Sequence, residues 1–197
     1  MAQSKIDIAN IALGKLGEPL ITSFNDITSL PSIMFESLFD MYMDILVSKH
    51  PWNFATKRAQ LAEKVSTPLF GWSKAFALPA DYLTMVATKD YFSYKIELLD
   101  NEKVLFSDQS IVQIKYISQV TNTALFPPYF SYLLAMFLCK ELGATLAPSS
   151  LNLKSIGTEF NNALLEAKRL DSQEGTPDRI EDNWVYSGYL NRGYRIQ

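Results

Sequence analysis

The chain has 197 residues, 48% of them hydrophobic and 20% charged, which is enough apolar material for one core and excludes a chain disordered over most of its length. Eighteen Lys and Arg against 21 Asp and Glu leave a net charge of −3, so no global basic field exists to grip a nucleic-acid backbone by counterion release. The start of the chain lacks the basic and apolar pattern of a signal peptide, and no window reaches roughly 18 consecutive apolar residues, so neither secretion by such a peptide nor a membrane span is expected.

The first expected helix covers residues 4–16. Ser4 is a good N-cap, Ile8, Ile11, Ala12 and Leu16 fall near one face, and Gly17 and Pro19 stop it. A second start signal at Thr28 and Ser29 opens a long amphipathic helix over residues 29–49. Its core stripe is read as Leu30, Met34, Leu38, Met41 and Ile45, and Pro51 ends it.

From residue 52 to about 118 the helical spacing gives way to short β-branched and aromatic runs broken by Pro68, Gly71, Pro79 and the Asp100-Asn101-Glu102 turn. That texture predicts a small antiparallel sheet. Within it, residues 94–99 and 103–106 form the best hairpin. Residues 110–118 read as a strand with Val112, Ile114 and Tyr116 on one face and Gln113 and Lys115 on the other, with Ile111 and Ile117.

Pro127 and Pro128 open a third helix, residues 128–146, strongly apolar and stopped by Pro148; with Lys140 and Glu141 inside, it is a buried core helix. It carries Cys139, the only cysteine, so an intramolecular disulfide and a cysteine-rich zinc site are both excluded, and a reducing compartment fits. Ser149 and Ser150 cap a fourth helix, residues 150–170, striped by Leu153, Ile156, Phe160, Ala163, Ala167 and Leu170. The expected fold is therefore α+β and mainly α: an antiparallel helical bundle with a small inserted antiparallel β-sheet, one domain over residues 1–170, and an extended C-terminal tail over residues 171–197.

That tail has few aliphatics yet holds Trp184, Tyr186, Tyr189 and Tyr194, with Arg192 and Arg195 available to pair with acids. Glycine and proline interrupt any regular element in it, while flat aromatics bury area with few torsions to freeze. The combination points to a segment that orders on docking to a partner. Its alternative is a lid folded back on its own domain.

Signals for chemistry are sparse. His50 is the only histidine, placed between Lys49 and Pro51 at a helix end, where capping or packing accounts for it better than catalysis. The sequence holds no Gly-x-Ser-x-Gly, Walker loop, His-Glu-x-x-His or Gly-x-Gly-x-x-Gly. Glu36, Asp40 and Asp44 stand at four-residue steps, and paired carboxylates are what a glycosidase needs, so a cell-wall hydrolase is the enzyme alternative. A solvated helix face explains the same acids. Trp52 and Phe54, alternating at strand spacing, are expected in the core, with Lys57 and Arg58 solvated or facing an acidic neighbour, and Trp72 is also expected to be buried. No catalytic residue, metal or cofactor is predicted.

Several landmarks in order carry a resemblance. Ala12-Leu13-Gly14-Lys15-Leu16-Gly17 with Ile21, Ser23 and Asp26 is followed by the long helix, by His50-Pro51-Trp52-Asn53-Phe54-Ala55 running to Arg58 and Leu61, and by Trp72-Ser73-Lys74-Ala75-Phe76-Ala77-Leu78-Pro79-Ala80-Asp81-Tyr82-Leu83. Over roughly residues 4–170 the chain resembles the tail tubular protein A and tail accessory factor group of short-tailed phages. The resemblance implies a structural subunit of a head-to-tail connector, assembled in the host cytoplasm and resident in the virion. It implies a dodecameric ring under the portal, contact with the portal and a downstream tail or nozzle protein, and genomic DNA only passing through the channel. The C-terminal residues Trp184, Tyr186, Tyr189, Arg192, Tyr194 and Arg195 are then the expected portal contacts.

Overall fold

Local chemistry starts and stops the first helices. In α1 (Lys5–Leu16) the Ser4 hydroxyl accepts from the Asp7 N–H at 3.2 Å while the Asp7 carboxylate accepts from the Ser4 N–H at 2.8 Å, a closed capping box. Gly17, at φ 76°, takes the left-handed conformation that ends this helix. Ser29 caps α2 (Leu30–Ser48), with Pro31 in its first turn. The computed structural model describes residues 3–148 and 153–175; Ser149 and Ser150, the expected caps of the last helix, lie outside them.

The third helix, α3 (Pro128–Leu146), is the hub. Seven consecutive residues, Leu133 to Cys139, are buried, so every face of this stretch is covered. α1, α2 and α4 (Leu153–Ser172) each pack on α3, and Trp52, Ala55 and Ile117 join the same core.

Between α2 and α3 the chain forms six strands: β1 (Thr56–Gln60), β2 (Lys74–Ala77), β3 (Tyr82–Thr88), β4 (Lys95–Leu99), β5 (Glu102–Ser107) and β6 (Gln113–Ser118). They pair into two antiparallel sheets, β1-β6-β3 and β2-β5-β4. The β4–β5 hairpin turns at Asp100 and Asn101, both at positive φ (52° and 64°), the geometry that matches strand twist in a two-residue connection.

The expected helical bundle with one small inserted sheet is not what forms. The fold is α+β with four helices and two three-stranded sheets among the described residues, and the sheets have cores of their own. Leu61, Phe76, Leu105, Val112, Ile114 and Tyr116 make a second core shared by both sheets, and Ala75, Val104 and Phe106 make a third beneath Trp72 and Leu99. The physical reason lies in β5 and β6, the central strands. Val104 to Ser107 on β5 and Tyr116 to Ser118 on β6 are buried without alternation because each strand is covered on both faces, and each central strand takes at least one partner distant in sequence, β2 for β5 and β1 for β6.

Two aromatic placements also differ from expectation. Residues Asn53–Ala55 form a single 3-10 turn rather than strand, with Trp52 fully buried and Phe54 half-buried against Phe126 and Phe130. Trp72 is half-buried over the third core.

Candidate interaction surfaces

The six residues expected to contact a portal, Trp184, Tyr186, Tyr189, Arg192, Tyr194 and Arg195, lie outside the described residues. What the structure does show is how the chain leading to them is anchored. α4 runs to Ser172, so Asp171, which the sequence pattern put at the start of the tail, belongs to the body and is buried. Its Oδ1 accepts from the Asn53 N–H at 3.0 Å and from the Tyr129 hydroxyl at 3.3 Å, and its Oδ2 lies 3.5 Å from His50 Nε2. Asn53 Nδ2 donates to the Asp171 carbonyl at 2.6 Å, and the Tyr129 hydroxyl also donates to Glu174 at 3.1 Å.

Burial holds the His50 imidazole below its ordinary range, against the opposing pull of Asp171. Burial, then the charges of Asp171 and Glu174, pushes the Tyr129 hydroxyl well above the usual phenol range. The acid is thus met by donors that are neutral near pH 7, and the cluster works as a rivet joining the end of α4 to the turn after α2 and to the start of α3. One signal was present in the sequence. The stripe Phe160, Ala163, Ala167 continues at the next four-residue step onto Asp171, and a carboxylate at a core position requires donors.

The Leu78-Pro79-Ala80-Asp81 landmark has a similar structural duty. Asp81 receives Lys57 Nζ at 2.6 Å and the Tyr116 hydroxyl at 2.9 Å, and its carbonyl accepts from the Gln119 N–H at 2.7 Å. Burial raises the carboxyl, but the Lys57 and Tyr116 hydrogen bonds outweigh it and leave Asp81 below the usual range; Tyr116 is pushed up to about 12 by burial and then by Asp81. Lys57 is therefore engaged within the chain rather than held for an acidic neighbour.

α2 presents the largest departure in side-chain placement. Its buried face is Phe35, Phe39, Met43, Leu46 and Val47, whereas Leu30, Met41 and Ile45, expected in the core, are 54%, 48% and 40% exposed, and Met34 and Leu38 are half-buried. The helix is apolar on two sides. Its bulky aromatics take the core because they bury the most area, and Leu30, Ile33, Met41 and Ile45 are left as a stripe facing solvent. Glu36, Asp40 and Asp44 follow one edge of that stripe. Lys5 pairs with Asp40, and Gln119 Nε2 donates to Asp44 at 2.7 Å. Desolvation raises the Asp44 carboxyl above its ordinary range, assisted by Asp40 and opposed by the Gln119 bond, and Asp44 Oδ1 is buried with no hydrogen-bond partner.

A second surface lies at the far end of the β1-β6-β3 sheet. There Arg58, Lys115 and Ala87 stand in one cross-strand row, and Gln60 and Gln113, joined at 3.0 Å, pair two residues further along β1 and β6. With Lys89 they line an open trough of about 440 Å³ whose walls are mainly apolar. Arg58 and Lys89 form no ion pair among the described residues.

Among the described residues no group of His, Cys, Asp and Glu side chains could hold a metal ion, and no helix is long and apolar enough to cross a membrane. Cys139 is buried, its thiol pushed up to about 11 by desolvation. No protein-family model matches this chain, and no curated protein matches it.

Proposed function

We propose that the chain is a structural subunit of the head-to-tail connector of a short-tailed phage: a ring component beneath the portal that extends the DNA channel and offers the tail a platform. The observation that carries this reading is α2. One of its apolar faces packs on α3 while the other, Leu30, Ile33, Met41 and Ile45, meets solvent beside a row of acids. Exposed apolar side chains gathered on one side of a helix mark an interaction site, and a repeating assembly gives them a use in every copy. The ordered landmarks that resemble the phage adaptor group support the same reading. Two of them build junctions: Trp52-Asn53-Phe54-Ala55 at the Asp171 rivet, and Asp81 between β1 and β6. In this reading the portal contacts are Trp184, Tyr186, Tyr189, Arg192, Tyr194 and Arg195, the downstream partner is a tail or nozzle protein, and the location is the virion junction.

A wall hydrolase is the second reading. Asp44, with its raised carboxyl, stands one turn from Asp40, which Lys5 pairs, and two such environments are what an acid and a base require. The decisive experiment combines both. Purified protein is added to portal-bearing heads, as the full chain and as a chain lacking residues 176–197, and the full chain is also applied to peptidoglycan. Joining of heads by the full chain and failure of the shortened one, with no clearing of peptidoglycan, is expected. Clearing that disappears when Glu36, Asp40 and Asp44 are all changed to amides would overturn the connector in favour of the hydrolase.

A further inference from the structure

We propose that α2 of one copy seats its exposed apolar stripe in the basic trough of the β1-β6-β3 sheet of a second copy. The contact takes its biological setting from the connector reading, while its chemistry rests on the two surfaces alone.

Three observations choose this occupant. The first is charge. The α2 stripe is edged by Glu36, Asp40 and Asp44, and Glu36 has no ion pair among the described residues; the trough is edged by Arg58 and Lys89, which likewise have none there. Acid edge and basic edge are complementary, which fixes register and steers encounter. The second is shape. Arg58 belongs to β1 and Lys89 follows β3, and these strands flank β6, so the two cations stand two strand spacings apart across the sheet, about 10 Å, and two residues apart along it. An α-helix with its side chains is about 10 to 12 Å across, so one helix laid over Lys115 of the central strand spans the width between them. The third is apolar matching: the trough's walls are mainly apolar, and Ala87, in the same cross-strand row as Arg58 and Lys115, has a small side chain that leaves room for Met41 and Ile45.

The two surfaces are different, so the contact is heterologous. Each copy offers α2 to one neighbour and its trough to the other, which is the arrangement that propagates around a ring. A helix-to-helix contact across a twofold axis would instead bring Glu36, Asp40 and Asp44 of both copies together, and like charges there would oppose it.

Disulfide trapping tests the contact. Met41→Cys and Ala87→Cys are made separately in the full chain; Cys139 stays in place because it is buried. Each variant is first shown to melt like the parent. Mixed at high protein concentration and oxidised, the pair is expected to give the mixed disulfide dimer at about tenfold excess over either homodimer, the ratio that follows from a preference of about 1.4 kcal/mol. Glu36→Lys on the Met41→Cys chain should reduce the product, and Arg58→Glu on the Ala87→Cys chain should restore it. A predominant Met41→Cys homodimer would overturn the proposal by placing α2 against α2. So would a yield no greater than that of a control pair at Asp108 and Ser172, or loss of the product when short duplex DNA is added, which would assign the trough to phosphates. Loss of the trapped dimer with head joining intact removes this contact alone. A trapped dimer from a chain that never joins portal-bearing heads removes the connector reading alone.

Discussion

The helical layer and the two-sheet lobe use their apolar residues in opposite ways. Around α3 the packing is continuous: Trp52, Phe54, Phe126 and Phe130 meet edge to face or tilted, with centroids 4.6 to 6.4 Å apart, and Phe137 lies against Tyr42 on one side and Phe160 on the other. The sheet lobe divides a smaller apolar supply between two cores and leaves Val65, Leu69, Phe70 and Tyr91 almost wholly exposed on its loops. The stability of this chain therefore resides mainly in the helices, whereas the sheets serve as a framework for loops and for the basic trough.

Removing one tryptophan from each region puts that division to its hardest test. Trp52→Ala leaves a cavity in a fully buried site and should cost about 3 to 5 kcal/mol in urea unfolding. Trp72→Ala, at a half-buried site, should cost about 1 to 2 kcal/mol. Equal losses would show that the two regions share stability evenly.

The rivet comes next. Asp171→Ala deprives Asn53, Tyr129 and His50 of their common partner and should cost about 2 to 3 kcal/mol, the penalty for stranding buried donors. A double-mutant cycle with Tyr129→Phe should show coupling of about 1 kcal/mol, and strictly additive losses would remove Tyr129 from the cluster.

Smaller again is the effect of pH. Burial holds His50 below its ordinary range, so as pH falls through about 6.5 the unfolded chain takes up the proton before the folded one does. Stability is therefore complete above that pH and declines below it. His50→Gln, which keeps a donor toward Asp171, should flatten the decline between about pH 6.5 and 5, and an unchanged slope would assign the acid sensitivity to other groups. The least change is expected at the loop tips, where Phe70→Ser should alter stability by less than about 0.5 kcal/mol because the ring contributes little buried area.

Much of the helical layer was legible because helix signals are local. Ser4 and Gly17 close α1, Ser29 opens α2, and Pro128 opens α3 within a few residues of the groups they satisfy. The Asp100-Asn101 hairpin is equally local. Hidden from the sequence were the division of the strands into two sheets, the choice between two apolar faces of α2, and the partners of Asp171. In each case the deciding contact comes from far along the chain: Thr56 pairs with Ile117, α2 is oriented by α3, and Asp171 meets Asn53. Periodicity can show that α2 has apolar residues on both sides, but only the competition of those sides for α3 settles which is buried. Where α1, α2 and α3 begin follows from the sequence, because caps and turns are satisfied by neighbouring residues. Which surfaces remain open follows from the assembled fold, because burial depends on which distant elements arrive to cover them.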